Sequence, residues 1–169
     1  MAMTIDAPAV SPIPEGFHTV TPTITVNGAA EAIEFYKRAF GAIEIDRAPS
    51  PDGSKIFHAT IQIGNSRIML NDEFPEMNAK GPLSYGGTPA GLWLYVEDAD
   101  AVFDQAVAAG ATVGMPMNDA FWGDRWGNLI DPFGHNWSVS TRKRNVSIED
   151  AMAAMQEMGG ACGEAGQPS

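Results

Sequence analysis

Two stretches of the chain follow one pattern and decide its fold. Thr23–Gly41 reads TITVNGAAEAIEFYKRAFG, and Gly91–Gly110 reads GLWLYVEDADAVFDQAVAAG. Each begins with alternating side chains, as a half-buried strand does, then crosses a short polar turn and continues as a helix that a glycine ends. Val26 in the first stretch corresponds to Val96 in the second, 70 positions later. The chain therefore contains an internal repeat, which is the strongest indication of its architecture.

Further strand-like runs follow each helix, separated by residues that favour turns. In the first unit they cover 43–48, 55–63 and 67–71. In the second unit they cover 112–115, 125–130 and 136–141. A tryptophan-rich loop precedes the run at 125. Gly64-Asn65 and Asp131-Pro-Phe-Gly134 are turn sequences between the last two strands of each unit. Each half is therefore predicted to have the order βαβββ.

We expect one domain with short additions at both ends. Prolines and glycines mark a linker between the two units. Ser147 and Asp150 resemble a capping box, which predicts a helix near the C-terminus. The predicted parts, in chain order, are an extended arm at 1–17, a domain at 18–144 with units at about 18–72 and 91–144 and a linker at 73–90, a helix at 145–158 and a disordered tail at 159–169.

The charge balance narrows the choice of partners. Of the 169 residues, 10 are Lys or Arg and 21 are Asp or Glu, which gives a net charge of −11. A uniformly attractive surface for nucleic acid or anionic membranes is excluded, so we expect neither as a partner.

The first 16 residues contain no Lys or Arg and no long apolar run. A cytoplasmic protein is therefore expected. The single cysteine, Cys162, excludes an intrachain disulfide framework and a Cys-rich zinc module.

The repeat and its motifs resemble the vicinal oxygen chelate superfamily, which contains glyoxalase I, bleomycin-resistance proteins and extradiol dioxygenases. Thr21-Pro22 and the helix sequence of Ala32–Gly41 are similar to its first-strand and first-helix signatures. Phe121–Gly127 (FWGDRWG) and Asp131–His135 (DPFGH) are similar to its PhnB-like branch. The resemblance covers about His18–Arg144. It implies an α+β fold in which two tandem βαβββ units form a curved mixed sheet of half-barrels, with the helices on the convex face.

In such a fold the face opposite the helices lines a pocket. Because side chains alternate along strands, polar and aromatic residues of several strands are predicted to share that face. The Trp residues of the tryptophan-rich loop are expected to add flat surfaces for a ligand. The predicted ligand contacts are Thr21, Thr23, Thr60, Gln62, Met69, Trp93, Tyr95, Trp122 and Trp126.

The resemblance also implies four metal-ligand positions, one on the first strand and one on the last strand of each unit. In this sequence they fall at Thr21, Met69, Gly91 and Ser138. Hydroxyl, thioether and absent side chains are poor ligands for the divalent ions that such sites hold. A shift of one residue in either direction brings no His, Glu or Gln to any of them. We hypothesise that the protein lacks the family metal centre and uses no cofactor.

Two functions remain open. The first is a binding module for a small organic molecule with a planar ring. The second is an enzyme, a lyase, isomerase or dioxygenase-type member of the superfamily that acts on a small oxygenated metabolite. The candidate catalytic residues are His58 or, alternatively, an acid such as Asp124 to move the proton, with Arg125 to stabilise developing negative charge. The net charge favours a cationic ligand and Arg125 an anionic one, so the sequence leaves the ligand's charge open. Relatives resemble twofold dimers, so a homodimer is expected.

Overall fold

The computed structural model describes residues 10–163. A 3-10 turn at Pro75–Met77 lies between the two units. The strands and helices, in chain order, are β1 (Thr23–Val26), α1 (Ala29–Phe40), β2 (Ile43–Pro49), β3 (Ile56–Ile63), β4 (Ser66–Asp72), α2 (Pro82–Tyr85), β5 (Gly91–Tyr95), α3 (Ala99–Ala109), β6 (Thr112–Asp119), β7 (Asp124–Ile130), β8 (Asn136–Arg142) and α4 (Ile148–Gly163).

The strands form two four-stranded sheets of identical topology. Their orders are β1-β4-β3-β2 and β5-β8-β7-β6. The first strand of each unit runs parallel to the last, and the other neighbours are antiparallel. Thr23 pairs with Met69 in the first sheet, and Trp93 pairs with Ser138 in the second. The predicted α+β fold of two tandem βαβββ units is therefore confirmed.

The tryptophan-rich segment is mostly strand rather than loop. Strand β6 continues to Asp119 and β7 begins at Asp124, so only four residues connect them. The Ala120 amide donates to the Asp124 carbonyl over 2.7 Å, and Gly123 adopts φ +99° to close the turn. A side chain at Gly123 would lie 2.6 Å from the Arg144 carbonyl oxygen, so the position requires glycine.

The chain ends extend beyond the domain. Helix α4 runs to Gly163, five residues past its predicted end. Residues 1–9 of the predicted arm and 164–169 of the predicted tail lie outside the described residues. Between residues 10 and 163, no helix combines the length and the hydropathy that crossing a membrane requires.

Carboxylate and hydroxyl groups fix where helices α1 and α3 begin. Asp72, at the end of β4, accepts hydrogen bonds from the Gly28 and Ala29 amides at 2.9 and 2.8 Å. The Asp98 side chain occupies the N-cap position of α3 and accepts from the Ala101 amide. Thr141 of β8 accepts from the Ala99 amide at 2.8 Å. Each helix is thus anchored to the last strand of its own unit.

A single hydrophobic core joins the two units. Helices α1 and α3 pack against each other, and each also packs on its own sheet. The Phe40 ring of α1 meets the Trp137 ring of β8 with centroids 4.6 Å apart. One face of each sheet therefore packs on the helices, and the other face points away from them. We call these second faces the open faces.

The buried Asp131 carboxylate connects the units by hydrogen bonds. Its Oδ2 accepts from the Tyr36 hydroxyl at 2.7 Å and from Trp137 Nε1 at 2.9 Å. Its Oδ1 accepts from the amides of Phe133 and His135, both at 2.9 Å. Burial, followed by the neighbouring Asp131 charge, raises the pKa of Tyr36, so this hydroxyl keeps its proton and donates.

We expect Asp131→Asn to lower the free energy of unfolding by about 3 kcal/mol. An amide at this position has one accepting oxygen for four donors, and its own N–H groups would face buried donors. Urea unfolding followed by circular dichroism measures the change. Asp104→Asn is the matched control, because Asp104 is exposed on α3 and the substitution removes the same charge. Equal stability of the two variants would contradict the role assigned to Asp131.

Candidate functional site

The open faces carry most of the predicted ligand contacts. Side chains that alternate with the buried apolar residues of each strand point to these faces. Thr21 precedes β1, and Trp122 lies in the β6–β7 turn. The first open face carries Thr23, Thr60, Gln62 and Met69 together with His58. The second open face carries Trp93, Tyr95 and Trp126 together with Asp124.

The first open face holds an acid, an imidazole and a hydroxyl in sequence. His58 Nε2 lies 3.3 Å from Thr60 Oγ1 and 3.7 Å from Asp46 Oδ1. Thr60 is fully buried, whereas the side chains of His58 and Asp46 reach solvent. Asp46 is not among the site residues that the sequence predicts. Its place follows from strand pairing, because Asp46 of β2 lies opposite Thr60 of β3.

Other polar groups near this face are engaged within the chain. The Thr21 hydroxyl donates to the His18 carbonyl at 3.1 Å, which closes a turn before β1. The Gln62 amide donates to the Gly64 carbonyl at 3.0 Å. These two residues therefore shape the chain around the face and have fewer groups free for a ligand.

An aromatic cluster covers the second open face. The Trp93 and Trp126 rings stack at a centroid distance of 6.1 Å and an interplanar angle of 18°. Tyr95 lies 6.1 Å from Trp93, and Trp122 lies 5.5 Å from Trp126. The structure thus brings together all four of the aromatic residues that the sequence predicts as ligand contacts. We call Trp93, Tyr95, Trp122 and Trp126 the aromatic cluster.

Small residues on the middle strand allow these rings to meet. Strand β8 lies between β5 and β7. Ser138 is opposite Trp93, and Ser140 is opposite both Tyr95 and Trp126. Because serine side chains are short, the rings from the two outer strands extend across β8 and contact each other.

The aromatic cluster adjoins polar atoms that have no partner. Asp124 is buried, and its Oδ2 accepts from the Ser140 hydroxyl at 2.9 Å. Within residues 10–163, Asp124 Oδ1 and Trp126 Nε1 are buried without a hydrogen-bond partner. Burial, followed by the adjacent Asp124 carboxylate, raises the pKa of the Tyr95 hydroxyl. Unpartnered buried polar atoms are uncommon in folded proteins.

Arg125 does not join this group, which corrects the expected anion contact. Because its neighbours Asp124 and Trp126 face the open side, Arg125 points toward the helices. Its Nε and terminal nitrogen donate to the Asp100 carboxylate of α3 at 3.0 and 2.7 Å. Asp119 lies 3.6 Å from its other nitrogen. The guanidinium therefore links β7 to α3.

The residues at the four implied metal positions do not fit a divalent ion. Thr21 donates its hydroxyl proton to a carbonyl, Met69 accepts from the Thr23 hydroxyl at 3.8 Å, and Gly91 has no side chain. Ser138 has a hydroxyl, which is a weak neutral ligand. Among the described residues, no three His, Cys, Asp or Glu side chains are grouped to hold an ion.

Two clefts lie between the outer edges of β1 and β5. The larger, about 640 Å³, is bordered by His18, Arg67, Trp93 and Tyr95, so one of its walls is continuous with the aromatic cluster. The second, about 600 Å³, is bordered by β1, β5 and the linker between the units. The linker therefore forms a wall of a cavity, and both cavities are large enough for a small organic molecule.

Comparison with known proteins identifies relatives across most of the chain. The profile of the Glyoxalase/Bleomycin resistance protein/Dioxygenase superfamily matches residues 16–139. The uncharacterized protein Rv0887c of Mycobacterium tuberculosis is 45% identical over 143 residues, which are 83% of this chain and 84% of the relative.

Solved structures show the same fold. Protein PA1353 from Pseudomonas aeruginosa has a TM-score of 0.60 and 26% identity, over 74% of this chain and 98% of that protein. The fosfomycin resistance protein FosX from Listeria monocytogenes, solved with Mn(II) and sulfate, has a TM-score of 0.55 and 14% identity, over 80% of this chain and 97% of that protein.

Proposed function

The chain belongs to the glyoxalase/bleomycin resistance protein/dioxygenase superfamily, and we propose that it binds a small organic molecule with a planar ring on its second open face. One observation carries the proposal. Trp93 and Trp126 stack beside Tyr95 on a surface where Trp93 is 46% and Tyr95 62% exposed. Large rings that lie together and reach solvent offer a flat apolar surface to a ligand ring.

The proposal includes binding without the family metal ion. The side chains at Thr21, Met69, Gly91 and Ser138 do not provide the nitrogen or carboxylate donors that such ions prefer. Ring stacking and hydrogen bonds from the protein supply the interactions instead. We also propose a cytoplasmic location, which is in keeping with the presence of a single cysteine.

The proposal further includes a homodimer in which a second copy helps to enclose the site. In one chain, Ile43 on the first open face is 62% exposed, and Met115 and Ile130 on the second are also exposed. Together with Trp93 and Tyr95, these residues make an apolar surface that monomeric proteins usually cover. A second copy laid over these faces would complete a closed pocket between them.

We expect Trp93→Ala to weaken the binding of 9-anthracenemethanol, an uncharged three-ring probe, about tenfold, because it removes one stacking surface. Isothermal titration calorimetry measures the affinity. Tyr85→Ala is the control, since Tyr85 is an exposed ring on the linker, away from the aromatic cluster. A wild-type protein that binds no planar probe, or equal losses in both variants, would refute the proposal.

We expect the wild-type protein at micromolar concentration to have a mass of about 36 kDa, twice the 18.0 kDa of one chain. Light scattering after size exclusion measures it. Ile43→Asp should favour the monomer, because it places a charge on the covered apolar face. Val107→Asp, on the exposed side of α3, should leave the mass unchanged. A monomeric wild type contradicts the dimer.

A second candidate function, proton transfer at a substrate, rests on the first open face. His58 lies within reach of the buried Thr60 hydroxyl and of Asp46, and its ring is accessible from solvent. A neutral imidazole held beside a carboxylate is a suitable general base. In this case His58 would remove a proton next to a carbonyl group, and the resulting enolate would regain a proton from solvent.

Exchange of the methyl protons of 1-phenyl-1,2-propanedione in D₂O tests this second function, with proton NMR as the measurement. If His58 is the base, His58→Ala slows the exchange about a hundredfold and leaves the affinity for the probe unchanged. His18→Ala, which removes an imidazole outside the face, should have no effect. Exchange at the buffer rate in the wild-type protein would overturn the second function and leave ring binding intact.

A further inference from the structure

We infer that the second open face selects planar ligands that carry a positively charged N–H group, with Asp124 as the counter-charge. This inference rests on the proposed ring-binding function and adds the charge class of the ligand. It comes from the polar atoms beneath the rings, which ring stacking by itself leaves unexplained.

One oxygen of the Asp124 carboxylate receives no hydrogen bond from the described residues, although the Tyr95 hydroxyl lies nearby. Asp124 is 2% exposed, and Ser140 donates to only one of its two oxygens. The other oxygen has no partner among the described residues. A buried carboxylate accepts several hydrogen bonds when it is satisfied, and a missing bond is costly. An N–H group of a ligand would supply that bond.

The position of Asp124 matches a ligand that stacks on the aromatic cluster. Asp124 and Trp126 are two residues apart on β7, so both face the open side. The Tyr95 hydroxyl also lies against Asp124, which brings the carboxylate next to the rings of β5. A flat molecule on Trp93 and Trp126 therefore has the carboxylate at its edge, where a ring substituent would lie.

Four cations lie near Asp124. Lys143 and Arg144 border a small cavity together with it, and both are exposed, so water and salt screen their charges. Arg125 points to the opposite face and is paired with Asp100. Arg142 lies opposite Asp124 on β8, and its Nε donates to the Arg144 carbonyl at 3.4 Å. Because Arg142 is exposed, water and salt screen its charge more strongly than that of the buried carboxylate. The net charge of −11 also favours a cationic ligand, as the Asp124 carboxylate does.

Three probes of similar size separate ring binding from charge recognition. They are proflavine, a planar cation with N–H groups, uncharged 9-anthracenemethanol, and the anion 9-anthracenecarboxylate. We expect wild-type protein to bind proflavine about tenfold more tightly than the anion. The preference should persist at 1 M salt, where charges separated by more than about 3 Å are screened. Isothermal titration calorimetry measures all three affinities.

Asp124→Asn should weaken proflavine binding about tenfold and leave 9-anthracenemethanol binding within about twofold. The asparagine removes the charge and keeps an oxygen that accepts from Ser140. Asp119→Asn is the matched control, because it removes one exposed carboxylate nearby and should change neither affinity.

The outcomes distinguish the two proposals. If no probe binds the wild-type protein, ring binding itself fails. If 9-anthracenemethanol binds and Asp124→Asn leaves proflavine affinity unchanged, ring binding stands and the role of Asp124 is overturned. If Asp124→Asn does not fold, the wild-type comparison at 1 M salt decides, and equal affinities for cation and anion would overturn the inference.

Discussion

The rest of the structure depends on the four hydrogen bonds accepted by the Asp131 carboxylate. One of them comes from Tyr36 in the first unit, and the others come from the strand and turn that end the second unit. Burying a carboxylate is unfavourable unless donors surround it, and here the donors fix its geometry. The same turn brings His135 Nε2 to 3.1 Å from the Thr25 carbonyl of β1. These contacts hold β8 in place relative to α1, and β8 is the strand over which the aromatic cluster forms.

The two units use one topology to build different surfaces. Thr23 and Met69 in the first sheet occupy the positions that Trp93 and Ser138 occupy in the second. The first open face is therefore polar and includes the His58 imidazole. The second open face is covered by aromatic rings. Because a common core fixes both sheets from behind, side chains on the open faces are free to differ without disturbing the fold. This separation between scaffold and surface explains how one family fold accommodates many ligands.

Much of the fold was accessible from the sequence, and the site was accessible in part. The repeat and helices α1 and α3 follow from periodicity and from the glycines that end these helices. Alternation along β5 correctly grouped Trp93 with Tyr95. The same rule applied to the predicted strand at 125–130 places Arg125 and Trp126 on opposite faces, so the two residues do not belong to one site. The sequence does not predict the position of Asp46 at this site. That position depends on the register between β2 and β3, and the register includes an irregularity that local sequence does not specify.

The distribution of tryptophans has a practical consequence. The chain contains four, and three of them form the aromatic cluster while Trp137 is fully buried in the core. Trp137 also donates its indole N–H to Asp131, whereas Trp126 has no such partner within the described residues. Emission from the three clustered indoles therefore responds to events on the second open face, and emission from Trp137 responds to loss of the core. The four tryptophans thus divide between two places, three on the second open face and one in the core.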